Sequence, residues 1–154
     1  MAETKTIVEE QENKKTLTKL SIIVRESSYD RILTPLAFAY LAAASGIHVD
    51  MLFVNWAVRA VMKGKAEKLP MSAEHANEKE YVEKQVAKAG LPPSIPEIIS
   101  AIKATGNVNI YVCSLAAQIF EAKEDDLLPE VDGIVGATWF LSECSANADV
   151  NQYF

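Results

Sequence analysis

The chain has 154 residues, of which 49% are hydrophobic and 23% charged, and a formal net charge of −6 at pH 7. That length fits one domain able to bury about two-thirds of its unfolded surface without a disulfide scaffold or a metal clip, and the negative charge argues against non-specific binding to nucleic acid. Two cysteines, no apolar leader behind Met1 and no apolar run longer than residues 36–47 point to a cytoplasmic protein with no membrane span.

Residues 1–16 are polar and charged, with Glu9, Glu10, Glu12, Lys14 and Lys15 close together. They are expected to form a flexible tail ahead of a single domain over residues 17–154. Leu20, Ile22, Ile23 and Val24 read as a strand covered on both faces. From about Tyr29 or Thr34, Leu33, Leu36, Ala37, Tyr40, Leu41 and Ala44 follow helical spacing. Pro35 is expected in the first turn of that helix and Gly46 as its left-handed cap. Residues 47–54 form a second strand with one partly solvated face at its start, where His48 and Asp50 alternate with apolar neighbours. His48 stands at the strand end remote from any site.

Asn55 and Trp56 open a helix reaching about Met62, and residues 63–79, which contain His75, read as an exposed excursion. Helices over 80–89, stopped by Gly90, and 95–104, after Pro92 and Pro93, lead to a third strand near 108–112. At Cys113 the period switches from 2 to 3.6. Ile110, Tyr111 and Val112 read as a buried strand, whereas Leu115, Ala116, Ile119 and Phe120 recur at helical spacing. A helical turn at 125–128, a strand at 131–135, a helix from Gly136 to about Ala146 and a short strand at 150–154 complete the chain.

This alternation implies crossover connections and a three-layer α/β/α sandwich around a mostly parallel sheet of four to five strands. In such a sheet the strand-to-helix turns share the carboxyl edge, where these folds bind ligands. That edge collects Arg25, Ser27, Ser28, Asn55, Ser114, Gly136 and Thr138 around Cys113. Arg25 supplies positive charge, the hydroxyls supply hydrogen bonds, and Gly136 lets a backbone approach closely. A cysteine at a helix start lies in a field that favours its thiolate.

A packing role competes with each of these assignments. Cysteine is a common small core residue, and Ser28, Asp30 and Thr138 also read as helix caps. Cys144 falls on one face of the last helix with Phe140 and reads as packing.

No base sits in a motif with Cys113 for acyl transfer, and no C-x-x-C offers a resolving thiol. What remains is carriage, in which the thiolate accepts a sulfane sulfur, holds it as a persulfide and yields it to another thiol. Cys113, Cys144, His48 and His75 lack metal-ligand spacing. Neither G-x-G-x-x-G nor a P-loop supports a nucleotide or flavin domain.

Residues 20–30 (LSIIVRESSYD), the helix over 33–46, residues 109–114 (NIYVCS) and residues 131–140 (VDGIVGATWF) together resemble the DsrE/DsrF-like sulfur-relay family. The resemblance covers the chain from about Leu20 to Phe154. It implies an α/β sandwich that associates into trimers or hexamers and carries no organic cofactor. It also implies that Cys113 accepts sulfur from TusA-like carriers or rhodaneses, as a single sulfane sulfur or as a thiosulfonate. The competing expectation is an oligomeric scaffold or binding subunit whose cysteine is incidental and whose exposed apolar residues, Trp56 and Trp139 among them, build the assembly.

Overall fold

Runs of aliphatic residues with few charges become strands, and a computed structural model covering residues 15–154 contains five of them. They are β1 (Lys19–Val24), β2 (His48–Phe53), β3 (Val108–Cys113), β4 (Gly133–Val135) and β5 (Val150–Tyr153). All pair in parallel, in the order β4-β3-β2-β1-β5. The five-stranded parallel α/β architecture matches the sequence-based expectation. Most of the charged N-terminal tail expected over residues 1–16 lies outside the described residues.

Register explains where the core sits. Ile22, Met51 and Ile110 lie side by side on adjacent strands, and none has any exposed surface. Each such side chain contributes roughly 1.5–3 kcal/mol by leaving water. Helices α1 (Tyr29–Ala44) and α3 (Ile95–Ala104) pack on each other beside this layer. Ile95, Ile98, Ile99 and Ile102 recur every three or four residues and are all buried, which is the stripe an amphipathic helix needs.

The path β1 to β4 moves stepwise across the sheet, and the chain then returns over it to place β5 beside β1. Right-handed crossovers made in opposite directions put their helices on opposite faces. Helix α5 (Ala137–Glu143) and the 3-10 turn Ser145–Asn147 accordingly cover the second face. There Tyr111 meets Phe140 edge-on at 6.3 Å, and the hydroxyls of Ser21 and Ser145 are 3.0 Å apart.

Several local expectations shift. Pro35 lies inside α1, in its second turn, and not in the first. Its ring is buried, and the carbonyl it leaves without a helical partner belongs to Arg31, on the exposed side of the helix. The segment after β2 forms a 3-10 helix, Asn55–Val61, in place of an α-helix. The last helix breaks at Cys144. Gly46 does take the left-handed conformation, φ 83°, and the amides of Gly46 and Ile47 return to the carbonyls of Ala43 and Ala42.

Residues 63–94 leave the sheet and return through two short 3-10 turns and helix α2 (Lys79–Lys88). Asp30 fastens this excursion: its carboxylate accepts from the Ser72 amide at 2.8 Å and the Ser72 hydroxyl at 2.6 Å. Burial works against ionisation of Asp30, but these Ser72 bonds outweigh it and hold the carboxyl below its usual range. Asp30 thus clamps a distant loop, a role its position near a helix start does not reveal.

Candidate functional site

Five parallel strands end on one edge, and β3 brings Cys113 there as its final residue. Cys113 keeps extended geometry, φ −67° and ψ 130°, and is the N-cap of helix α4 (Ser114–Ile119). The strand order decides its neighbours. Cys113 pairs with Val135, so the turn at Gly136 to Thr138 adjoins it on one side. The turn after β2, starting at Asn55, adjoins it on the other. Asn55 has φ 51°, a left-handed conformation that asparagine tolerates better than most residues.

Ser114 lines a cleft of about 730 Å³ together with Ala117, Gln118, Glu121, Lys123 and Ile134. The thiol itself lies one residue behind that wall: Cys113 is buried, with 7% of its surface exposed. Gly136 has ordinary geometry, φ −72°, and a Cβ there would meet nothing within 4 Å. The half-buried Gly136 thus has open space on the side where a side chain would stand. Thr138 is exposed and does not cap α5; Gly136 holds the cap position.

Arg25, Ser27 and Ser28 follow β1, two strand positions from β3, or roughly 10 Å at 4.8 Å per strand. Arg25 leans further off, its guanidinium 5.3 Å from the Tyr153 ring on the β5 side. Ser28 precedes α1, but its hydroxyl makes no capping bond and is buried without a partner. The structure therefore divides the candidate set into Asn55, Ser114, Gly136 and Thr138 around Cys113, and Arg25, Ser27 and Ser28 apart from it.

A cation that pattern reasoning passes over stands closer to α4. Arg59 lies with its guanidinium 4.4 Å from the Trp56 ring and 5.7 Å from that of Phe120, and those two rings are 4.7 Å apart. The available signal was the spacing Trp56 to Arg59, which places both on one side of a helical turn.

A second polar constellation occupies the sheet face under α5. Asp50 is 2% exposed. It accepts from Lys19 Nζ at 3.0 Å and Asn109 Nδ2 at 2.9 Å and pairs with His48 Nε2 at 3.0 Å. Burial disfavours its charge, yet the bonds from Lys19, Asn109 and His48 prevail and keep the carboxyl below its usual range. His48 is thus an anchor of this network, at the amino end of β2.

Cys144 joins the same network. Burial first, and then the charge and hydrogen bond of Asp50, push its thiol up to about 11, so it stays protonated near neutrality. Asp50 pairs with Asn109, four residues before Cys113 on β3, which is about 13 Å at 3.3 Å per residue. Both cysteines are free and buried. Among the described residues no group of three His, Cys, Asp or Glu side chains is placed to hold a metal, and no helix is long and apolar enough to cross a membrane.

The fold and this edge define an α/β protein that presents one cysteine where an inner strand passes into a helix. The chain belongs to the DsrE/DsrF/DrsH-like family, whose model matches residues 57–153. Among solved structures, the ychN protein from E. coli superimposes with a TM-score of 0.64 at 16% identity, covering 90% of this chain and all of the other. A protein of unknown function, MTH1491 from Methanobacterium thermoautotrophicum, follows the same fold with a TM-score of 0.54 at 12% identity, over 88% of this chain and 98% of its own. A comparison with curated proteins finds no match. Family membership supports a role related to sulfur relay in general.

Proposed function

We propose that the protein is a sulfur carrier of the sulfurtransferase type, holding sulfane sulfur or a thiosulfonate group on Cys113 and passing it between partner proteins. The observation that carries this reading is the position of Cys113, the last residue of β3 and N-cap of α4, between the turns at Asn55 and Gly136. In the loading step the Cys113 thiolate attacks a sulfane sulfur of the donor. A new S–S bond forms as the donor's S–S bond breaks, and the electron pair departs on the donor fragment. With tetrathionate the fragment is thiosulfate, and the protein retains a thiosulfonate. Ser114 and the adjoining turns, with Asn55, Gly136 and Thr138, supply hydrogen bonds to the charged group, while Arg25, Ser27 and Ser28 stand two strands away along the same edge. TusA-like carriers or rhodaneses are the partner class that fits, acting on a cytoplasmic homo-oligomer, a trimer or hexamer, that needs no organic cofactor.

Intact mass spectrometry after treatment with polysulfide or tetrathionate tests this. Wild type is expected to gain a thiol-reversible adduct and a Cys113→Ser variant none; equal labelling of the two removes the carrier reading. The low exposure of Cys113 favours one rival, a scaffold subunit with an incidental thiol. That rival predicts slow alkylation of Cys113 at neutral pH and partner binding that survives its replacement.

A further inference from the structure

Among the described residues two non-glycine positions take the left-handed conformation, Asn55 and Glu121, both at φ 51°. Both stand at the edge that presents Cys113: Asn55 opens the turn beside it, and Glu121 lines the same cleft as Ser114. Asparagine tolerates that region, whereas a glutamate there is held against a steric cost that glycine would remove.

Glu121 is unfavourable on a second count. Phe120 is the C-cap of α4, and the amides of Glu121 and Ala122 return to the carbonyls of Gln118 and Ala117. Glu121 thus occupies the position that helices commonly give to glycine, and the negative end of a helix repels a carboxylate. No basic residue lies in the last turn of α4. Glu121 is exposed and forms no ion pair or side-chain hydrogen bond among the described residues. A residue that breaks two local rules with no compensating contact inside the chain is kept for what lies outside it.

The wall of the cleft indicates what that is. Ser114, Ala117, Gln118 and Glu121 line it, and their spacing is that of one helical face, so the cleft follows α4 lengthwise. Its other charges, Lys123 and Asp126, are opposite in sign, which leaves the Glu121 carboxylate as the net charge. Eight positions separate Cys113 from Glu121, about 12 Å at 1.5 Å per helical residue. An extended peptide covers that span in about four residues at 3.3 Å each. A chain whose cysteine meets Cys113 therefore sets its fourth residue beyond that cysteine beside Glu121, where a cation supplies the missing partner.

We propose that Glu121 determines partner specificity: it selects a carrier whose reactive cysteine has a lysine or arginine about four residues away, in an extended segment laid along this face of α4. The proposal rests on sulfur carriage by Cys113. In the transfer it serves, the partner thiolate attacks the sulfane sulfur held on Cys113. An S–S bond forms on the partner as the bond to Cys113 breaks, and the electron pair stays on the Cys113 thiolate. Glu121 touches neither sulfur and acts by holding the partner in register.

Two blocked peptides test this on the full-length protein loaded with tetrathionate. One carries cysteine and, four positions on, lysine; the other has glutamate in place of the lysine. Intact mass against time reads the unloading. At low salt the lysine peptide should unload wild type at least about threefold faster, and Glu121→Gln should lower that ratio at least about twofold. Glu97→Gln, which removes the same charge from an exposed position on α3, should leave the ratio as it is. Equal rates for the two peptides on wild type, or equal effects of Glu121→Gln and Glu97→Gln, overturn the proposal and leave carriage intact. If wild type takes up no adduct, carriage itself fails, and fluorescence anisotropy with labelled peptides bearing serine for cysteine decides the recognition alone. A threefold preference for the lysine peptide that Glu121→Gln removes supports the role of Glu121, and equal affinity overturns it. Strain has its own readout. Glu121→Gly should melt at least about 2 °C above wild type while losing the peptide preference; a melting temperature no higher than that of wild type also overturns the proposal.

Discussion

Cys113 is the last residue of β3, whereas Cys144 is the C-cap of α5, so different elements hold the two thiols. Cys144 is enclosed with Asp50, and burial together with that carboxylate pushes its thiol up to about 11. In a Cys113→Ser variant at pH 7.5, iodoacetamide should therefore leave the native protein unmodified over a time that fully labels it in denaturant, as read by intact mass. Asp50 itself carries a stability consequence. Its carboxylate is buried and held by Lys19, Asn109 and His48. Removing it in Asp50→Ala leaves the Lys19 ammonium without its partner and should cost about 3 kcal/mol in urea unfolding at pH 7. The folded-state carboxyl is shifted down from its ordinary 3.8. Its stabilisation is thus complete above the unfolded value and disappears as pH falls through the folded one. Comparing urea midpoints at pH 7 and pH 3, the loss on acidification should be smaller for Asp50→Ala than for wild type.

Helices in this protein differ in how firmly they are held, and the difference follows from their stripes. Helix α3 buries Ile95, Ile98, Ile99 and Ile102, whereas α2, with Val82 and Val86 on its inner side, has no buried residue at all. A cavity of about 450 Å³ remains between α2 and Tyr29, Leu69 and Ile95. Local opening is cheapest where few apolar contacts must be broken. Amides of α2 should accordingly exchange with deuterium well before those of α3, and equal protection of the two helices would contradict the loose attachment. Sequence periodicity located both helices to within a residue or so, because an apolar stripe is a local property. It did not reveal that Asp30 reaches Ser72, a contact between residues 42 positions apart.

At the scale of the molecule, β5 closes the sheet against β1 by pairing Leu20 with Val150 and Ile23 with Tyr153. Asp149 ties the start of both strands by accepting from the Thr18 hydroxyl and the amides of Thr18 and Lys19. Truncation after Ala148 removes a whole edge and bares one side of β1. It should lower the melting temperature by at least about 10 °C, an amount corresponding to roughly 3 kcal/mol for a domain of this size. An unchanged transition would show that β5 is dispensable.

Chain order alone determined that the protein is a parallel α/β sandwich, that Cys113 stands where a strand becomes a helix, and that residues 131–140 supply another strand-to-helix turn at that edge. These follow from the alternation of period and from the rule that parallel strands need crossovers. Only the tertiary structure decided which turns are neighbours, because strand order is set by packing across the sheet and leaves no local mark. It moved Arg25, Ser27 and Ser28 two strands from the thiol, brought Arg59 onto Trp56 and Phe120 beside α4, and buried Asp50 with Cys144. Side chains distant in sequence meet by burial and charge pairing, and no window of residues contains that information.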